Sequence, residues 1–326
     1  MSSETTSPTR PYATDLAAAT LAHLRDPVVG ANLALRRSIV REVRAQLEGE
    51  GFEEYETPVL GERINEYSAG LIRAQSAAGD EWWLTQSPQL FKQMLIASGR
   101  TRYLQFAHCF RDEPREPGRY DRMREFIQID IEMVTDDPAE IRRMVERVMV
   151  RVCRAAGRAI STPFPEMDAA TAVAHHGTDT PDLRTDPDEW SFVWITDFPL
   201  AEPDGSGRPR LVRHPMARPE RPPQDADHAC SLRTYSYDLV LNGYEIGSGD
   251  LRIHDAAEQL AVLRAMDLPA EHYQVLLDVL ADGCPPHGGV GLGLDRLAMA
   301  LAGSRDIAQA SAFPHWFGRV LPEEAP

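Results

Sequence analysis

The stretch that most limits what this chain can become is Phe126–Glu132. Ile127, Ile129 and Ile131 alternate strictly with Phe126, Gln128, Asp130 and Glu132. A period of two with β-branched residues predicts a strand with one face in a core. The opposite face carries a ring, an amide and two carboxylates in register, which ordinary solvent surface does not need. Upstream, Arg111 and Glu113 stand two apart, and are expected to share a strand face entering the same turn. An amphipathic hairpin with solvated charges is the plain alternative. An arginine and three acids converging beside an aromatic plate instead suit a magnesium nucleotide and a carboxylate.

Other segments fit that chemistry. Residues 32–49 place apolar side chains at helical spacing, from a cap at Asn32 to Gly49. A Gly-Phe turn and a strand ending near Pro58 follow. Residues 61–80 read as a mobile loop. Ser87-Pro88 opens a helix in which Gln89 and Lys92 share a face, while Leu90 and Met94 point toward the core. Residues 138–157 form an amphipathic helix, 191–199 a buried strand and 201–230 an irregular excursion. In 237–255, Asp238 and Glu245 are hard oxygen ligands suited to magnesium beside phosphates. Gly247, Ser248 and Gly249 let a backbone approach a ligand, and Arg252 offers a planar guanidinium to a carboxylate. Residues 288–301 carry four glycines, but at the wrong end of the chain for a dinucleotide fingerprint. For His214 a satisfied structural role is expected.

Composition narrows the function. A net charge of −16 on 326 residues argues against non-specific phosphate binding, which draws its strength from Lys and Arg. Four widely spaced cysteines offer neither a zinc site nor a disulfide framework. No membrane-length apolar run or signal peptide is evident, so a cytoplasmic protein is expected. Residues 1–28 read as a flexible tail and 29–326 as one catalytic unit.

Phe-Arg-Asp-Glu at 110–113, Glu-Phe-Ile-Gln-Ile-Asp-Ile-Glu at 125–132, Gln-Ser-Pro-Gln-Leu-Phe-Lys at 86–92 and the glycine-rich 288–296 together resemble the catalytic core of class II aminoacyl-tRNA synthetases, aspartate branch. The resemblance runs from about residue 35 to the C-terminus. It implies an α+β fold, a mostly antiparallel sheet flanked by helices, in a homodimer. It implies an ATP-dependent, AMP-forming ligase using ATP and Mg2+. Arg111 and Arg296 would be catalytic. Arg111, Glu113, Phe126, Glu245, Gly293, Asp295 and Arg296 would bind ATP, and Asp238 and Glu245 the metal. Glu66, Ser87, Gln89, Lys92, Arg111, Gln128, Asp130, Arg213 and Arg252 would hold the amino acid, with Lys92 and Arg252 on an aspartate side chain. The chain departs from the family at Glu66-Tyr67-Ser68 in the closing loop, at Arg213 in place of the first histidine of a His-His-Pro, and at Ala308-Gln309 in place of an arginine-acid pair. It also lacks room for an N-terminal oligonucleotide-binding barrel and for an insertion after residue 184. These departures point to an asparagine synthetase-related type that passes aspartate, or a close analogue, to ammonia or a small amine. A truncated enzyme acting on tRNA or a tRNA base, and a non-catalytic regulatory paralogue, are the alternatives.

Overall fold

The computed structural model describes residues 13–61, 70–113 and 120–314. Its frame is a sheet of eight strands: β1 (Glu53–Glu54), β2 (Arg102–Phe110), β3 (Glu125–Val134), β4 (Glu166–Asp168), β5 (Phe192–Thr196), β6 (Ser236–Leu241), β7 (Tyr244–Leu251) and β8 (His287–Gly293). Across the sheet they lie in the order β1-β2-β3-β8-β7-β6-β5-β4. The central pairs are antiparallel. The outermost pairs, β1 with β2 and β4 with β5, are parallel. This is the expected α+β fold, a mostly antiparallel sheet with helices against it.

One face packs on the helices Pro27–Gly49, Pro138–Ala155 and Leu294–Leu301. Ile39, Val43 and Leu47 from the first meet Met144, Val148 and Met149 from the second over Ile129 and Ile131 of β3. The stripe read at 32–49 is thus real, but the helix starts earlier. Asp26 caps it by accepting from the Val28 amide at 2.8 Å, and Pro27 fills the first turn. Asn32 is buried inside the helix rather than capping it. The Asp-Pro pair is the stronger start signal because it satisfies a free amide and presets φ. Asp137-Pro138 opens its helix in the same way.

Three segments carry more order than the sequence suggested. A helix spans Ala13–Arg25, within the stretch read as a tail. Arg73–Gln75, within the stretch 61–80 read as a loop, pairs with Glu81–Leu84, which also pairs with Leu60–Gly61, in a small antiparallel sheet. The excursion after residue 200 contains the paired strands Ala201–Pro203 and Pro209–Leu211 and the helix Ala226–Ser231. Glu66, Tyr67 and Ser68 lie outside the described residues. All four cysteines are free. Among the described residues no helix is long and apolar enough to cross a membrane.

Candidate active site

The second face of the sheet holds the polar residues of β3, and it is as buried as the first. Gln128, Asp130 and Glu132 are all inaccessible, so the strand has two buried sides, not one. Glycines make this possible. β8 sets Gly289 opposite Glu132 and Gly291 opposite Asp130. A Cβ at Gly291 would stand 1.4 Å from Gln128 Nε2, and one at Gly289 would stand 2.0 Å from the Ile131 carbonyl oxygen. The acidic strand fits only against a partner without side chains there.

The helix Gln89–Ala97 covers this face, with its first amide, that of Gln89, donating to Ser87 Oγ at 3.2 Å. It turns its polar side inward. Gln89, Lys92 and Gln93 are buried, whereas Met94, expected toward the core, is 38% exposed. Apolar periodicity misleads here because the sheet surface beneath the helix is charged. Lys92 Nζ lies 3.0 Å from both Asp130 Oδ1 and Glu132 Oε2. Arg252 Nε meets Glu132 Oε1 at 2.9 Å, and its two terminal nitrogens reach Glu132 Oε2 at 3.1 Å and Asp250 Oδ1 at 2.7 Å. The two cations therefore do face a common anion, and that anion is the chain's own Glu132.

His214 closes the cluster. Its Nδ1 lies 3.2 Å from the Met216 amide, and its Nε2 lies 2.9 Å from Asp250 Oδ2 and 2.5 Å from Arg252 NH1. Burial outweighs the pull of Asp250 and lowers the His214 imidazole below its ordinary pKa. Burial alone would raise Glu132, but Arg252 and Lys92 overcome it and hold the carboxylate at about 2. Asp130 is shifted up, because burial exceeds the pull of Lys92. Asp130 Oδ2 and Gln89 Nε2 are buried with no hydrogen-bond partner. A buried polar atom in that state is costly unless a ligand completes it.

Beside the cluster lies an open cleft of about 570 Å³, lined by Arg111, Glu113, Phe126, Glu245, Gly293 and Arg296 among others. Gln128 and His214 also line it, and each touches the buried cluster, at Asp130 (3.4 Å) and Asp250 (2.9 Å) respectively. The Arg111 guanidinium sits 5.1 Å over the Phe126 ring. Arg111 lies beyond the end of β2, where its amide donates to the Arg124 carbonyl at 2.9 Å. Arg111 and Glu113 therefore belong to the turn rather than to a strand face. Glu113 pairs with Arg122 at 2.5 Å and Asp112 with Arg124 at 3.3 Å. On the far wall Arg296 Nε donates to the Asp121 carbonyl at 3.2 Å and its NH1 donates to the Glu245 carbonyl.

A family model for tRNA synthetases class II (D, K and N) matches residues 13–316. The chain belongs to that family. An aspartate–tRNA(Asp/Asn) ligase from Geobacillus sp. is 30% identical over 427 aligned positions, covering 89% of this chain and 71% of the relative. An aspartate–tRNA ligase from Enterococcus faecalis is 29% identical, with 89% and 72% covered. Since 89% of 326 residues cannot fill 427 positions, the Geobacillus relative carries residues inside the aligned span that this chain lacks. The structure of asparaginyl-tRNA synthetase from Pyrococcus horikoshii with asparaginyl-adenylate superposes with a TM-score of 0.74 at 20% identity, covering 93% of this chain and 72% of that one. The Entamoeba histolytica asparaginyl-tRNA synthetase with asparaginyl-adenylate gives 0.73 at 20% identity, with 99% and 74% covered. At that identity the two structures speak for the fold. The enzyme class expected from the sequence, an ATP-dependent, aspartate-activating ligase using ATP and Mg2+, agrees with the family and its relatives.

In this class II synthetase chain not every expected ligand is placed for its role. Glu245 fits a metal. Its side chain keeps 39% of its surface open, and burial with the neighbouring Asp238 raises its pKa against the pull of Arg296. Asp238 does not fit, because Arg213 donates to both of its oxygens, at 3.0 and 2.7 Å. Among the described residues no group of three or more His, Cys, Asp or Glu is arranged to hold a metal ion. Asp295 also serves elsewhere: one oxygen accepts from Arg36 Nε at 2.9 Å and the other from the Ile127 amide at 3.0 Å. It ties the long N-terminal helix to β3. Sequence reasoning counted Glu132 among the converging acids without giving it a role, and passed over Asp250. A signal existed for both, since Glu132 follows Asp130 and Asp250 precedes Arg252 by two, on one strand face.

Proposed function

We propose that this chain activates aspartate as an aspartyl-adenylate. The observation that carries the reading is the buried cluster of Lys92, Asp130, Glu132 and Arg252, with Asp130 Oδ2 left unpartnered beside the cleft. The substrate's α-ammonium completes Asp130 Oδ2. Lys92 has three donors and two carboxylate contacts. Arg252 has five donors, and its contacts with Glu132, Asp250 and His214 engage four at most. Each cation thus retains a donor for a second carboxylate, that of the substrate side chain. Gln128, which lines the cleft and touches Asp130, must shift to admit it.

The α-carboxylate is already ionised, so no strong base is required. Its oxygen forms a bond to the α-phosphorus of ATP as the bond to pyrophosphate breaks. Alignment and neutralisation of charge are the demands. Arg111 serves the carboxylate and the α-phosphate, Phe126 offers its plane to adenine, and Arg296 faces the far end of the nucleotide. Glu245 would hold magnesium, which supplies charge neutralisation on the phosphates. A homodimer is part of the same reading.

For the second step we favour ammonia or a small amine over RNA. Arg122 and Arg124, two of the described basic residues of the turn, are paired with Glu113 and Asp112 rather than displayed to phosphates. The second reading, transfer to tRNA, is favoured by the names of the relatives, which are aspartate–tRNA ligases. Incubation with labelled aspartate and ATP decides between them. Aspartyl-hydroxamate formed with hydroxylamine, an aspartyl amide formed with ammonia, and no label on bulk tRNA is the expected pattern. Efficient labelling of tRNA contradicts the small-amine reading.

A further inference from the structure

Arg213 stands in the cleft against Asp238, one of the two acids expected to hold metal. It emerges just after the strand Pro209–Leu211, so the excursion delivers it to the sheet. Its guanidinium makes a two-pronged contact with Asp238, at 3.0 and 2.7 Å, and its NH2 reaches Ser248 Oγ at 2.5 Å. Asp238 and Ser248 are direct partners across β6 and β7, so one flat group bridges both strands. The other side of the guanidinium is stacked 4.4 Å from the Phe198 ring. Only 9% of the side chain is accessible. Glu245, three residues from Ser248 along β7, lines the same cleft.

This placement decides what Asp238 can do. A divalent ion needs at least one carboxylate oxygen with a free lone pair directed at it. Each Asp238 oxygen accepts one guanidinium bond, so an ion on its remaining lone pair would sit beside a fixed positive charge. A metal there would meet the guanidinium at close range, and displacing Arg213 would strand a buried charge without its carboxylate. A stacked, bidentate arginine has no easy alternative position, unlike a flexible lysine.

We propose that Arg213 is a resident cation that closes the Asp238 side of the nucleotide site to metal, leaving Glu245 as the single protein carboxylate for magnesium. The inference rests on the ATP-binding reading of the cleft.

Manganese, which reports its binding by loss of the free-ion paramagnetic resonance signal, tests this with a non-hydrolysable ATP analogue present. Glu245→Gln should weaken manganese binding by more than about tenfold. Asp238→Asn should leave it at the wild-type level. Arg213→Ser should add a second bound ion, and the double variant Arg213→Ser/Asp238→Asn should lose that ion again. A loss of manganese binding in Asp238→Asn matching that in Glu245→Gln overturns the proposal, as does an Arg213→Ser protein that gains no ion. Should Arg213→Ser fail to fold, the wild-type and Asp238→Asn comparison still decides. Equilibrium dialysis of the labelled analogue separates the two levels. Normal nucleotide binding with the wrong metal pattern defeats this inference alone, whereas no nucleotide binding by any variant defeats the functional reading and this inference together.

Discussion

Lys92 answers two buried carboxylates with one charge. It is 2% exposed and faces two carboxylates that are wholly buried. Lys92→Met removes the cation and leaves Asp130 and Glu132 crowded in a medium that cannot solvate them. Breaking a buried pair in this way costs about 3–5 kcal/mol, readable as a lowered urea midpoint, and aspartate activation should vanish as well. Glu132 shows the pH consequence. Its folded pKa is depressed to about 2, below an unfolded value of about 4.3. Its contribution is therefore present above the unfolded value and is lost as pH falls toward the folded one. Acid titration of stability should show a loss over that window, and Glu132→Gln should flatten it while lowering stability at neutral pH. Lys92, Arg252, Arg111 and Phe126 could be picked out from the sequence because their types announce charge or stacking. Asp250 was not singled out, since an acid beside a glycine on a strand also suits a solvated edge. Only the register of β7 shows that it locks His214 and Arg252.

At the scale of elements, the glycines of β8 decide whether the charged face can exist. Gly291→Ala would drive a methyl into Gln128, the residue between cleft and cluster. The side chain can swing away, so we expect a folded protein, destabilised by about 1–3 kcal/mol as in other overpacked sites, with a larger effect on aspartate binding than on nucleotide binding. Gly30 is the control. It lies exposed in the helix Pro27–Gly49, with nothing within 4 Å of an added Cβ. Gly30→Ala should raise stability by about 0.5–1 kcal/mol, measured by thermal unfolding. The contrast separates glycine needed for close approach from glycine that merely costs chain entropy. Helix and strand positions were legible because apolar periods are local signals, although the Asp26-Pro27 start was missed in favour of Asn32. The inward turn of the Gln89–Ala97 helix was not. Its hydrophobic positions imply one orientation, and the acids of β3, distant in sequence, impose another.

The whole molecule joins a frame that could be read in advance to a site whose internal partners could not. The family resemblance carried by residues 110–132 and 288–296 implied a mostly antiparallel sheet, and alternation marked β3 within it. The pairing of Arg213 with Asp238 depends on a turn of the excursion that leaves no periodic trace. The central claim is that Lys92 and Arg252, drawn together on Glu132, select an acidic amino acid for adenylation. Aspartate-dependent exchange of labelled pyrophosphate into ATP, run across the twenty amino acids, tests it most directly. Exchange should appear with aspartate, be weak or undetectable with asparagine and lysine, and disappear in Arg252→Gln with the protein still folded. Exchange driven by a neutral or basic amino acid, or full aspartate-dependent exchange in Arg252→Gln, would contradict it.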